Sequence, residues 1–139
     1  MIEIELAGVP VGKGRPRFVK ATGRAFTPEK TVRFEDRLAI AAQLAMAGRA
    51  PLDGPLEVEI EIRMPVPLSK PKRWRDAALA GTIRPTKKPD WDNFAKTVDA
   101  LNMIVWVDDA QIVDGRVRKI YHEAPAFVAR VRQIGSVFE

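Results

Sequence analysis

Cysteine is absent from the 139 residues, and histidine occurs once. The first absence excludes disulfides, thiol nucleophiles and cysteine-held zinc or iron–sulfur centres, and fits a reducing compartment. The second leaves His122 without the partners that histidine catalysis needs, so a structural or surface role is expected for it. No uncharged apolar run approaches the roughly 18 residues that span a bilayer. Met1–Leu6 alternates apolar and acidic residues and lacks the basic start and apolar run of a secretion signal, so a cytoplasmic protein with no membrane partner is expected. There is no G-x-x-x-x-G-K-[ST] phosphate loop, repeat or low-complexity tract. Nor is there an EF-hand: after Asp90-x-Asp92 the glycine position holds Ala95 and the glutamate position Leu101.

What is present is a hydrophobic content of 46%, enough for a core, and a net charge of +5 from 23 basic and 18 acidic residues. A basic balance makes nucleic acid a reasonable partner, and the distribution says more. Arg63 to Lys88 carries eight Lys/Arg and one acid, Asp76; Asp90 to Asp114 carries six Asp and one base, Lys96. A basic block therefore abuts an acidic one, the order that a metal-dependent enzyme acting on a polyanion would use.

Period-two alternation predicts strands over Ile2–Leu6 and Leu56–Ile62. Phe18–Phe26 reads as a hairpin turning near Gly23. A helix is expected from Pro28 to Ala47, capped by Thr27 and stopped by Gly48, with Phe34, Leu38, Ala41 and Ala45 facing the core. Ile40, Leu44 and Ala47 widen that stripe, and its edge is alternatively a subunit contact. Pro65–Pro89 reads as a long basic connection with a short helix near Arg73–Ala80. A second helix is expected from Asp92 to Asn102, a short strand at Val105–Val107, and strands over Ile112–Tyr121 and Ala126–Ile134. The order predicts one α+β domain spanning residues 1–139, a single mixed β-sheet with helices packed on it.

The chemistry concentrates between Lys88 and Asp109. Asp90 and Asp92 share a side if the chain is extended there, as Pro89 encourages. From a helix start at Asp92, Lys96 and Asp99 fall on the same face. Carboxylates suit Mg²⁺, which takes one or two of them with waters and phosphate oxygens. A lysine beside them can stabilise charge developing on a phosphate. One member of Asp108–Asp109 can supply a further carboxylate. Taken singly these residues have plainer readings: a helix cap at Asp92, a surface pair with Lys96, a polar turn at Asp108–Asp109.

The runs Lys88-Pro89-Asp90-Trp91-Asp92-Asn93-Phe94-Ala95-Lys96, Asp99-Ala100-Leu101-Asn102 and Trp106-Val107-Asp108-Asp109-Ala110-Gln111-Ile112-Val113 resemble the RusA family of Holliday junction resolvases. Gly12-Lys13-Gly14-Arg15-Pro16-Arg17 is similar to the amino-terminal region of many members. The resemblance covers most of the chain and implies a homodimeric crossover junction endodeoxyribonuclease. Such an enzyme makes paired, Mg²⁺-dependent cuts in four-way DNA junctions during recombination and repair, with Mn²⁺ as a substitute. By position, Asp90, Asp92 and Asp109 match the metal-binding aspartates, Lys96 the catalytic lysine, Asn93 a supporting residue and Asp108 the other half of the pair. Lys13, Arg15, Arg17, Lys87 and Lys88 are expected DNA contacts, and Trp74 and Trp91 candidates for stacking on unpaired bases. The rival expectations are a metal-dependent nuclease for other branched DNA or nucleotides, and a non-catalytic basic DNA-binding protein.

Overall fold

A computed structural model describes residues 1–14 and 17–135, with the side chain of Arg17 excepted. Its sheet follows from the alternating segments. Strands β1 (Ile2–Ala7), β4 (Leu56–Met64), β5 (Ile112–Tyr121) and β6 (Ala126–Gln133) lie in the order β1-β6-β4-β5. β6 runs antiparallel to both β1 and β4, whereas β4 and β5 are parallel. The sheet is therefore mixed, with helices packed on it, the α+β arrangement expected. Strands β2 (Arg17–Val19) and β3 (Arg24–Phe26) form a separate hairpin, and Gly23 supplies its left-handed backbone at φ 67°.

Register places Ile4, Ala129, Ile60 and Val117 in one row across the sheet. This apolar face meets α1 (Glu29–Met46), which buries Thr31, Phe34, Leu38, Ala42 and Met46. Phe34 packs edge-on against Phe127 at 5.7 Å between ring centroids. The core stripe is thus rotated from the one expected. Ala42 and Met46 are fully covered where Ala41 and Ala45 are only partly so, and Ile40 and Leu44 face solvent. The cap also differs. Pro28 occupies the capping position and has no side-chain acceptor, while Thr31 Oγ1 instead accepts the Gly14 N–H at 3.0 Å. The helix ends at Ala47, which takes the left-handed conformation one residue ahead of Gly48.

The opposite face carries charge in strand-wide stripes. One row reads Glu3, Arg130, Glu59, Arg116 across β1, β6, β4 and β5. Arg130 bonds Glu3 at 3.2 Å and approaches Glu59 at 3.6 Å. In the next row Glu61 is buried and hydrogen-bonded to Arg63 at 2.7 Å and to Arg118. Cross-strand opposite charges stabilise such a pair of strands and penalise a one-residue slip, which would set Glu59 opposite apolar residues and turn the charged row into the core face.

Between β4 and β5 the chain makes a long crossover, as parallel neighbours require. It contains α2 (Lys72–Leu79), α3 (Trp91–Ala95), a 3-10 helix over Lys96–Leu101 and a 3-10 turn over Asp109–Gln111. The single α-helix expected over Asp92–Asn102 is therefore two shorter elements. Thr97 Oγ1 donates to the Phe94 carbonyl at 2.6 Å, a bond that competes with continued α-helix. The expected strand at Val105–Val107 is reduced to isolated bridges from Trp106 to Leu52 and Asn102. Trp106 is fully buried, and its Nε1 donates to Asn102 Oδ1 at 2.7 Å.

A strap from the amino-terminal region holds this crossover. The Lys13 N–H donates to the Asn93 carbonyl at 2.8 Å. Lys13 Nζ reaches Asp99 Oδ2 at 2.5 Å and Glu35 Oε1 at 3.5 Å, tying the 3-10 helix to α1. Gly12 passes so close that a Cβ there would lie 2.6 Å from Pro89 Cβ and 3.2 Å from Asn93 Cβ. Burial works against the Lys13 ammonium, but its hydrogen bonds and charge pairing with Asp99 and Glu35 raise its pKa above the ordinary 10.5.

These contacts predict the stability effects of three substitutions. Burial alone would push the Glu61 carboxyl up; the hydrogen bonds and charges of Arg63 and Arg118 outweigh it and hold its pKa below the usual 4.5. Glu61→Gln should cost about 2 kcal/mol at neutral pH, since it removes the charged acceptor of two buried hydrogen bonds. Its folded pKa is depressed, so the contribution is present above 4.5 and lost as pH falls through the folded value. Melting temperatures of wild type and variant should converge on acidification; a constant gap would disprove the assignment. For the strap, Lys13→Gln should cost about 1 kcal/mol, a figure discounted for partial exposure. Because the folded Lys13 pKa is raised, that gap is present below 10.5 and closes as pH rises through the folded value. Gly12→Ala should cost about 1–3 kcal/mol by overpacking, read from urea midpoints.

Candidate active site

Asp90 is extended, at φ −68° and ψ 154°, and immediately precedes α3, which starts at Trp91 instead of at Asp92. Asp90 occupies the capping position, yet its side chain makes no capping hydrogen bond, so its carboxylate is not spent on the helix. Lys88 Nζ lies 3.1 Å from Asp90 Oδ2, and Lys96 Nζ lies 3.4 Å from Asp92 Oδ2. All four of these side chains are more than half exposed. Asp99 does not join them, because the 3-10 geometry and the strap commit it to Lys13. The expected common face of Asp92, Lys96 and Asp99 is thus broken after Lys96.

Asp108 and Asp109 have different duties. Asp108 Oδ1 accepts the Ala110 N–H at 3.0 Å, and Gln111 Oε1 accepts the Asp108 N–H at 3.1 Å, closing a capping box. The Gln111 amide donates to the carbonyls of Leu52 and Gly54, both at 3.0 Å, which pins the turn to the segment entering β4. The bond from Ala110 and then that from Asp109 lower the Asp108 pKa. The bond with Asp108, then burial and repulsion by Asp108, raise that of Asp109. Asp109 is the member of the pair without a capping role. It lines a cavity of about 250 Å³ together with Trp91, so the two ends of the aspartate segment border one space.

Among the described residues no three of His, Asp or Glu converge into a ready-made metal cage. The donor set still suits Mg²⁺, which needs one or two carboxylates and fills its remaining positions with water and substrate oxygens. Adjacent carboxylates that repel each other are also a setting that a divalent cation would relieve.

Of the expected DNA contacts, Lys87 and Lys88 are exposed on the approach to Asp90, while Lys13 is held by Asp99 and Glu35. Arg15 lies outside the described residues, and Arg17 is described only as backbone at the start of β2. Trp74 packs edge-on against Tyr121 with Lys70 over its ring at 5.2 Å. His122 Nδ1 accepts the Ala124 N–H at 2.9 Å, the structural role expected. Asn93 supports the site through its backbone, accepting from Lys13 and donating to the Asp90 carbonyl at 3.1 Å.

Sequence reasoning missed Lys119 and Gln111. Lys119 Nζ donates to the carbonyls of Lys87 at 2.7 Å and Pro89 at 3.0 Å, fixing the backbone that presents Asp90. Only its place in the alternation of β5 hinted at an inward-facing cation. Gln111 could have been found from the D-x-x-Q spacing of a capping box.

No helix among the described residues is long and apolar enough to cross a membrane. The family model for endodeoxyribonuclease RusA matches residues 7–132. The chain is also 34% identical over 140 residues to the uncharacterized protein YqaN of Bacillus subtilis (strain 168), covering 97% of this chain and 98% of that one. A family match that runs from the end of β1 to the end of β6 takes in the strap, the crossover and every aspartate of the site, and the chain belongs to the RusA endodeoxyribonuclease family.

Proposed function

We propose that this protein resolves four-way DNA junctions as a Mg²⁺-dependent homodimer in recombination and repair. Asp90, Asp92 and Asp109 would hold the metal, and Mn²⁺ would substitute for it. The observation that carries the proposal is that Trp91, set between Asp90 and Asp92, lines the same cavity as Asp109, within the span matched by the family model. When bound, the metal supplies an acidified water and polarisation of the phosphorus–oxygen bond. Lys96, exposed and paired among the described residues only with Asp92, offers a mobile positive charge to the phosphate as negative charge builds on it. Lys88 and Asp90 are likewise loosely paired, so an incoming phosphate can take the lysine and leave the carboxylate free. Phosphate contacts fall to Lys87, Lys88, Arg15 and Arg17. Lys13 we assign to the strap, since contact with DNA would cost it Asp99 and Glu35.

Two symmetric nicks need two sites related by a two-fold axis, which is the physical case for a dimer. The solvent-facing Ile40 and Leu44 on α1 support it as an apolar strip left open by the fold.

Asp92→Asn should bind a synthetic four-way junction as wild type does and cut it on the order of 10³-fold more slowly, the scale of removing one electrostatic contributor to a transition state. Equal cutting by the two proteins would refute the site. Chelation of divalent metal should stop wild-type cleavage, and added Mg²⁺ or Mn²⁺ should restore it. Faster cutting of flaps or linear duplex than of four-way junctions would move the activity to another DNA class.

A further inference from the structure

The cavity of about 250 Å³ beside the aspartates has a floor of Val58, Ile60 and Val117 and a rim that includes Trp91, Asp109 and Arg116. Two features make it more than a packing gap. Trp91 is 55% exposed although its Nε1 donates to the Val117 carbonyl at 2.8 Å. That bond uses the indole's one polar atom and fixes the ring, so what remains exposed is rigid aromatic surface. The cavity is also continuous with the proposed phosphate site, because Asp109 borders both.

A flat apolar body fits this set, seated against Trp91 and the valine-rich floor. We propose that the cavity receives one nucleobase of the DNA substrate, unstacked next to the cleaved phosphodiester, with Trp91 as the stacking platform. The identity of the ligand rests on the nuclease reading above. Extruding a base is easiest at a branch point, where stacking is already interrupted, so the cavity favours branched over continuous duplex DNA. Its floor offers no side-chain hydrogen bond, so it would select by stacking and shape and give only a modest sequence preference.

The test uses the full chain and four-way junctions carrying a single 2-aminopurine at successive positions around the branch, in Ca²⁺ buffer so that binding is read apart from cleavage. One position should change fluorescence on binding. Trp91→Ala should abolish that change and weaken binding on the order of tenfold, the usual cost of losing one stacked base. Ala95→Leu narrows the cavity while leaving Trp91 and the carboxylates in place, and should lose the same signal. It decides the matter if Trp91→Ala melts too low to assay. The proposal fails if no position responds in wild-type complexes, or if the signal survives in Ala95→Leu. It fails too if these variants change the sedimentation of the free protein, which would make the cavity a contact between copies. Wild type that cuts unmodified junctions in Mg²⁺ without any 2-aminopurine response refutes the cavity alone. Wild type that gives the response but never cuts refutes the nuclease reading and leaves the cavity standing.

Discussion

The parallel pairing of β4 with β5 is the constraint from which the site follows. Two parallel neighbours cannot be joined by a tight turn, so the chain must leave the end of β4 and return to the start of β5. Every candidate aspartate lies on that return path. β5 is also an edge strand, with one row of backbone groups unpaired by the sheet. The crossover uses that edge as a rail: Trp91 Nε1 bonds the Val117 carbonyl, and Lys119 reaches back to the carbonyls of Lys87 and Pro89. The same strand whose register is fixed by β4 thus fixes the backbone on both sides of Asp90.

Charge is divided between two economies. On the outward face of the sheet, Glu61 is buried and closely paired, and removing a partner there would leave an uncompensated charge in a poorly hydrated place. Around Asp90, Asp92 and Lys96 the pairs are exposed and longer, at 3.1 and 3.4 Å. Exposed pairs of this kind are worth little, so exchanging a protein partner for a phosphate or a cation costs little. Stability and chemistry therefore draw on the same residue types but on different sides of the sheet. Lys13 belongs to the first economy by geometry, although its place in a basic loop suggested the second.

How far the sequence was readable depended on the range of the interaction. Strict alternation in Leu56–Ile62 and Ile2–Leu6 exposed the strands, because one buried face imposes period two on local sequence. The Asp90-x-Asp92 and Asp108-Asp109 motifs located the candidate residues. The failures came from partners far along the chain. Asp99 was assigned to the face of Asp92 because its partner, Lys13, lies 86 positions away. Thr31 takes the Gly14 N–H from 17 positions away, which no local pattern marks, and helical period alone does not say where the sheet's apolar rows end, so the buried stripe on α1 is rotated from the expected one. The Val105–Val107 segment has strand-like residues but no neighbour to pair with over its length, so it remains a bridge around the buried Trp106.

The choice between Asp108 and Asp109 shows how local geometry constrains chemistry that a motif leaves open. Asp108 closes the turn by accepting from Ala110, and the capping box passes through Gln111 to the carbonyls of Leu52 and Gly54. Turning Asp108 toward a ligand would open that box and release the turn from the segment that starts β4. Asp109 bears no such load and already borders the cavity shared with Trp91. A carboxylate that can move without unfolding its own turn is the one free to follow a ligand, and the aspartate that caps is what holds its neighbour in place to do so.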